Sequence, residues 1–294
     1  MHEFEPIFRT PNEAAAFSSG LATRAVGRAL EYRQHTSSTN DLAAAAARAG
    51  APHGWVAVAE EQSAGRGRRG RRWLAPARRA LLFSLLVRGP GLRATRSGWL
   101  ALASASAAAE ALLRTASLAA RVKWPNDVVV THPAARPPWR KLGGVLVESG
   151  VSRSSAAAGH AVVGIGINVH QTQADLPSIP KAPATSVRIE TDLHLSRREL
   201  LVALLVSLEE RLSWIQEPDR FPEMRSVLRA CLDQWWQGWS FRTHGPDANV
   251  AGRYAGLDAQ ARLRLQAESG ALHLLADAEI VDGSVSVGRF GGAE

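Results

Sequence analysis

Between two apolar runs, GWVAVAE at 54–60 and ALLFSLLVR at 80–88, lies a stretch that no core accepts: five arginines and three glycines in the eight positions from Gly65 to Arg72. Guanidinium groups are not buried without partners, so this segment must be a loop, and the runs that flank it must be the strands it joins. Glycine tolerates positive φ and lets a ligand come close to the backbone, while arginine offers a planar fork of donors suited to carboxylate or phosphate. Packed together, such like charges repel one another unless an anion arrives. The loop therefore raises the question of which anion it serves.

The field around it is concentrated. The net charge is +8, from 35 basic and 27 acidic residues, and from Gln62 to Ala109 there are ten arginines and no acid. A basic balance favours an anionic partner without naming it. Cys231 is the sole cysteine, which excludes an intramolecular disulfide and any thiolate cluster and fits a reducing compartment. The N-terminus, MHEFEPIFRT, lacks the basic and apolar regions of an export signal, and runs such as LLVALLV at 200–206 are too short to span a bilayer. A cytoplasmic, soluble protein with a large domain and a small one is expected, since 294 residues with 46% hydrophobic content can bury a sizeable core.

The periodicities give an α+β chain. Strands are predicted at 54–60, 80–88, about 121–130, 143–149 and 161–169, with helices after Asn40 up to Gly50, over 98–113 and over 196–215. Ser38 and Asp41 match a capping box, as do Ser196 and Glu199. The Pro-rich stretch THPAARPPWR, 131–140, reads as a surface loop that cannot pair within a sheet. After Trp235, Trp236 and Trp239 the pattern turns to short alternating runs, with a hairpin in ARLRLQAESGALHLLA around Ser269-Gly270. These imply a small β domain with the tryptophans packed at its junction. Residues 1–30 form an N-terminal segment to which the sequence gives no role.

Several motifs carry chemistry. Gly65-x-Gly67-x-x-Gly70 matches the dinucleotide fingerprint only superficially, because no helix follows Trp73-Leu74-Ala75-Pro76 and the first acid is Glu110. SSTN, 37–40, sets hydroxyls and an amide at a helix start, where they can cap it or receive an uncharged polar ligand head. KWPND, 123–127, is an ordinary turn by composition, or a site in which Asp127 holds Mg²⁺ beside phosphate oxygens. KLGGVLVE, 141–148, places a lysine before two glycines at a strand start. In VVGIGINV, 162–169, one strand face is bare and suits either a flat ligand or a closely packed helix.

Taken in order, SSTN, GRGRRGRRW after Gln62, KWPND, KLGGVLVE and GIGINV resemble the biotin-protein ligase family over roughly residues 31–236. The closing β segment, 237–294, is similar to that family's small SH3-like domain. The resemblance implies a central mixed sheet packed with helices, class II synthetase-like in fold. It also implies ATP-dependent activation of biotin to biotinyl-5'-AMP, then transfer to a lysine of a biotin carboxyl carrier protein. Carried over by motif, Ser38, Thr39, Asn40, Gln62, Arg66, Gly67, Arg68, Lys141 and Gly144 would contact biotin. Arg68, Arg71, Trp73, Lys123 and Asn168 would face the nucleotide, with Lys141, Arg68 and Lys123 acting on the reacting groups and Asp127 on Mg²⁺. The loop would close over its ligand and be disordered without it.

Two departures stand out: Ser63 occupies a common threonine position, and 131–140 lengthens a connection near Lys141. Because about 35 residues precede Ser38, too few for a winged helix and linker, a monofunctional ligase without DNA binding is expected, monomeric or homodimeric. The rivals are a lipoate-protein ligase of the same fold and an arginine-rich nucleic-acid-binding module.

Overall fold

The computed structural model describes residues 4–150, 159–177, 183–245 and 249–285. In chain order the elements are α1 (Pro11–Gly20), β1 (Leu30–Thr36), α2 (Thr39–Arg48), β2 (Val56–Gln62), β3 (Ala80–Arg88), α3 (Ser97–Ala116), β4 (Arg121–Lys123), β5 (Asp127–Thr131), β6 (Trp139–Gly150) and β7 (His160–Asn168). They continue as α4 (Val187–Thr191), α5 (Arg197–Leu212), α6 (Phe221–Trp236), β8 (Trp239–His244), β9 (Ala251–Leu257), β10 (Leu263–Gln266), β11 (Leu272–Leu275) and β12 (Glu279–Val285). β1 to β7 form one sheet in the order β1-β2-β3-β7-β6-β5-β4, mixed because β1 and β2 run parallel while the other neighbours are antiparallel. β8 to β12 form a five-stranded antiparallel sheet, consistent with an SH3-like domain.

The two faces of the large sheet have different fates. Leu81, Phe83, Leu85 and Val87 of β3 point into the main core with the buried stripe of α3 and with Leu201, Leu204, Leu205 and Leu208 of α5. Their neighbours Leu82, Ser84 and Leu86 face the other way, where Leu86 packs under Ala43 and Ala47 of α2. Alanines in α3 let that helix lie close to the strands. Beyond the N-terminal start of α2 the second face is left free for a pocket.

Several expectations need correction. The run predicted as one strand at 121–130 is a hairpin, β4 and β5, turning at Trp124-Pro125-Asn126 so that Lys123 pairs with Asp127. The Pro-rich 131–140 stretch does pair at its ends: Thr131 with Trp139 and Val130 with Arg140. Proline bars pairing only where an N–H is needed, and His132 N–H donates to Pro138 O at 2.9 Å to close the connection. Ser38 caps α2 by accepting from Asn40 N–H, but Asp41 does not return the bond and turns instead to Arg66, so the capping box is incomplete. Ser196 does cap α5 through Glu199 N–H.

The N-terminal segment, without a role in the sequence reading, is part of the core. Ile7, Phe8 and Phe17 are buried, and Phe8 packs edge-on against Tyr32. Ile7 N–H donates to Glu60 Oε1 at 2.6 Å, while Arg197 donates to Glu60 Oε2 at 2.7 Å and to Glu5 O at 2.6 Å. A buried carboxylate is tolerated here because it is paired and fully hydrogen-bonded. Of the tryptophans expected at the junction, Trp236 meets Trp239 and Phe241 edge to face, Trp239 stacks on Phe241 and Trp235 is partly buried against the core; Trp139 joins them edge to face with Trp236 and Phe241.

Candidate active site

One pocket on the free face gathers Ser38, Thr39, Asn40, Gln62, Arg66, Gly67, Arg68, Arg71, Trp73, Lys123, Asp127, Lys141, Gly144 and Asn168. These positions span five separated motifs, so the sheet register has to bring them together. Gly164, Gly166 and Asn168 lie on one face of β7, opposite Ser84, Leu82 and Ala80 of β3. On β6 a bulge at Leu142 shifts the register against β5, which puts Lys141 on the same face as Gly144 although they are three positions apart. Lys141 N–H donates to Pro183 O and Lys141 O accepts from Thr185 N–H, so the 183–185 segment walls that side.

The bare face of β7 is where the head of the pocket is built. A Cβ at Gly164 would fall inside the Asn40 amide, and one at Gly166 would lie 2.6 Å from the Trp73 indole. The missing side chains thus admit the start of α2 and the tryptophan that ends the arginine loop. On the pocket side of Asn40 the groups are polar and uncharged: Thr39 N–H donates to Gln62 Oε1 at 2.7 Å, and Ser84 Oγ lies 2.7 Å from Thr39 Oγ1 and 2.6 Å from Asn40 Oδ1, while Asn40 Nδ2 donates to the Glu148 carboxylate.

The other end is cationic. Lys141 Nζ lies 2.6 Å from Asp127 Oδ1 and Lys123 Nζ 3.1 Å from Asp127 Oδ2. Burial would raise the Asp127 carboxyl, but the two ammonium groups outweigh it and hold the group well below the usual carboxylate range. Lys123, 5% exposed, also donates to Ile280 O at 3.3 Å.

In the expected role Asp127 would be one carboxylate beside phosphate oxygens on Mg²⁺; here it faces two lysines. Both Asp127 oxygens are taken by ammonium groups, and among the described residues no group of three or more His, Cys, Asp or Glu could hold a metal ion. Asp127 is instead the anchor that sets two lysines side by side.

The arginine loop folds as a small hairpin over this end. Trp73 N–H donates to Gly65 O at 2.9 Å and Gly67 N–H to Arg71 O at 2.7 Å, with a tight turn at Arg68–Gly70 in which Arg69 and Gly70 take positive φ. Its charges are met by carboxylates of this chain, which the sequence reading did not anticipate. Arg66 pairs with Asp41 at 2.8 Å and Glu148 at 3.1 Å, Arg68 and Arg69 with Asp277 at 2.6 and 3.0 Å, and Arg71 with Glu279. The hydrogen bond from Arg71 holds Glu279 below its ordinary carboxylate range, while burial lowers Arg68 despite the attraction of Asp277. Glu279 opens β12 and Asp277 lies in the bend just before it, so the second sheet supplies one wall of the site. The only sequence signal for Ser84 was a polar residue inside an apolar strand; Asp277 and Glu279 carried none.

The comparisons with known proteins agree with this geometry. The model of the Biotin/lipoate A/B protein ligase family matches residues 32–168. The biotin--[acetyl-CoA-carboxylase] ligase of Mycobacterium tuberculosis is 35% identical over 210 residues, covering 69% of this chain and 70% of that protein. The chain belongs to the biotin protein ligase family. The bifunctional ligase/repressor BirA of Bacillus subtilis is 31% identical over 192 residues, and the match spans only 56% of its length. Among solved structures, a biotin protein ligase from Aquifex aeolicus in complex with biotin and ATP superposes with a TM-score of 0.70 at 26% identity, covering 88% of this chain and 100% of that one. No helix among the described residues is long and apolar enough to cross a membrane.

Proposed function

We propose that the protein activates biotin with ATP and transfers the biotinyl group to a lysine of a biotin carboxyl carrier protein. The observation that carries this reading is a pocket with an uncharged polar end, Ser38 to Asn40 with Gln62, and a cationic end where Lys141, Lys123 and Arg68 converge. A ureido ring suits the first and two anionic reactants suit the second.

In the first step a biotin carboxylate oxygen bonds to the α-phosphorus of ATP and the bond to pyrophosphate breaks. Two anions must approach and a third must leave, so fixed positive charge lowers the barrier by stabilising the charge that develops on the phosphoryl oxygens. Lys141 and Arg68 serve the reacting carboxylate and phosphate, Lys123 and Arg71 the phosphates, and Trp73 and Asn168 the nucleoside. Ser38, Thr39, Asn40, Gln62, Arg66, Gly67 and Gly144 surround biotin. In the second step the carrier amine bonds to the acyl carbon and AMP departs with the electron pair. The closed loop keeps water from the mixed anhydride between the two steps.

The division into a catalytic domain at 31–236 and a small domain at 237–294 belongs to this reading, as does the cytoplasm as its compartment. The matched family description names lipoate as well as biotin. Exchange of labelled pyrophosphate into ATP decides between them: biotin should stimulate it and lipoate should not, and the reverse would overturn the proposal. A nucleic-acid role is disfavoured because Arg66, Arg68, Arg69 and Arg71 line the same pocket as Lys123, Lys141 and the polar Thr39–Gln62 end.

A further inference from the structure

Proton accounting at the uncharged end points to a residue that the proposed mechanism leaves unused. Glu148 pairs with Arg66 and also receives a hydrogen bond from Asn40, whose Nδ2 lies 2.5 Å from Glu148 Oε2. A carboxylate can only accept, so the nitrogen of the Asn40 amide must face it and the oxygen must face Ser84. Asn40 Oδ1 has no proton, hence the 2.6 Å contact with Ser84 takes the single hydroxyl proton of Ser84. The 2.7 Å contact between Ser84 and Thr39 must then be donated by Thr39, whose single proton goes to this contact rather than to the longer 3.0 Å one with Gln62 Oε1. Three hydrogen bonds thus run one way, from Thr39 through Ser84 and Asn40 to Glu148.

We propose that Glu148, acting through Asn40 and the fully buried Ser84, is a positioning residue that sets the hydrogen-bond polarity of the biotin head pocket. The proposal rests on the biotin reading above. With its proton committed to Ser84, Thr39 Oγ1 keeps a lone pair for a ligand N–H. Gln62 is oriented by the backbone of the same residue: its Oε1 is held by the Thr39 backbone N–H at 2.7 Å and lies 3.0 Å from Thr39 Oγ1, which leaves its Nε2 to donate. One acceptor beside one donor matches a ring that carries N–H and C=O side by side, the chemistry of a cyclic urea. Replacing the carboxylate by an amide removes the direction. In the Glu148→Gln variant the new amide could donate to a flipped Asn40, Asn40 to Ser84, and Ser84 to Thr39, reversing all three bonds.

The test is a double-mutant cycle by calorimetric titration of biotin against the wild type, Glu148→Gln, Ser84→Ala and the double variant, each first checked for a native melting transition. Each single change should weaken biotin binding about tenfold, the loss expected for one hydrogen bond at a desolvated site. The double variant should be little worse than either alone, because both interrupt the same series. Ser84→Ala should raise KM for biotin while leaving kcat within about twofold. Asp41→Asn removes the other partner of Arg66 without touching the series and should leave biotin affinity unchanged.

Unchanged affinity in Glu148→Gln, fully additive losses, or an equal loss in Asp41→Asn would each overturn the positioning role. A wild type that does not bind biotin would instead overturn the reading beneath it. Should Ser84→Ala fail to fold, Glu148→Gln paired with Asn40→Ala supplies the same cycle at a partly exposed carboxylate.

Discussion

Replacing Asp127 by asparagine keeps the shape of the site and removes one charge, so it isolates what that carboxylate does for the two lysines. Asp127 is 14% exposed, Lys123 5% and Lys141 32%. At an effective dielectric of about 20, opposite unit charges about 3 Å apart attract by roughly 5 kcal/mol, against which the desolvation of both must be set. Breaking a buried pair by removing one partner costs about 3–5 kcal/mol. Lys141 can turn toward solvent, whereas Lys123 is left with Ile280 O and the face of Trp139, 5.6 Å from Nζ. The lower end of that range, about 3 kcal/mol at pH 7, is therefore expected in urea unfolding.

The pH dependence follows from the depressed folded-state value. A carboxylate whose folded pKa lies below its unfolded one stabilises the fold above the unfolded value, about 3.9, and loses that contribution as pH falls below it. The gap between wild type and variant should hold from about pH 7 to pH 5 and narrow below about pH 4. A variant as stable as wild type at neutral pH, or a gap already closing at about pH 6, would refute the claim that Asp127 anchors the lysines.

Three further outcomes follow from the same geometry. Gly164→Ala should displace Asn40 and weaken biotin binding at least tenfold by calorimetry, since the new Cβ occupies the place of the amide. The double change Asp277→Asn with Glu279→Gln should loosen the loop. The pairs with Asp277 are half exposed and worth at most about 1 kcal/mol each, so release of free adenylate should accelerate roughly tenfold in a rapid-dilution assay while melting temperature changes little. Arg68→Ala and Lys141→Ala should each lower single-turnover adenylate formation by about 10²-fold or more without altering the circular dichroism spectrum.

Much of this was legible from short-range pattern. The bounds of β3 and α5 follow from apolar runs and from the Ser196 cap, and all five motifs meet in one pocket because each lies at the end of an element on the same sheet face. What the sequence hid was long-range. Nothing local says that Arg71 meets Glu279, 208 positions away, or that Asp277 answers Arg68 and Arg69. The turn in KWPND was legible from its composition, but that it splits the run at 121–130 into two paired strands was not, because that pairing is seen only in the fold. The role of the N-terminal segment was missed because its anchors, Glu60 and Arg197, are tertiary partners. Nor can composition show that the two oxygens of Asp127 face two lysines.

Guanidinium and ammonium groups that converge so that two anions can meet beside an uncharged recognition pocket are the core of the proposed chemistry. A crystal structure of the protein with biotin and a non-hydrolysable ATP analogue measures this directly. The prediction is a biotin carboxylate and an α-phosphate both within hydrogen-bonding distance of Lys141 and Arg68, with the ureido ring against Thr39, Asn40 and Gln62. A ligand bound elsewhere, or these side chains turned away from both reactants, would contradict it.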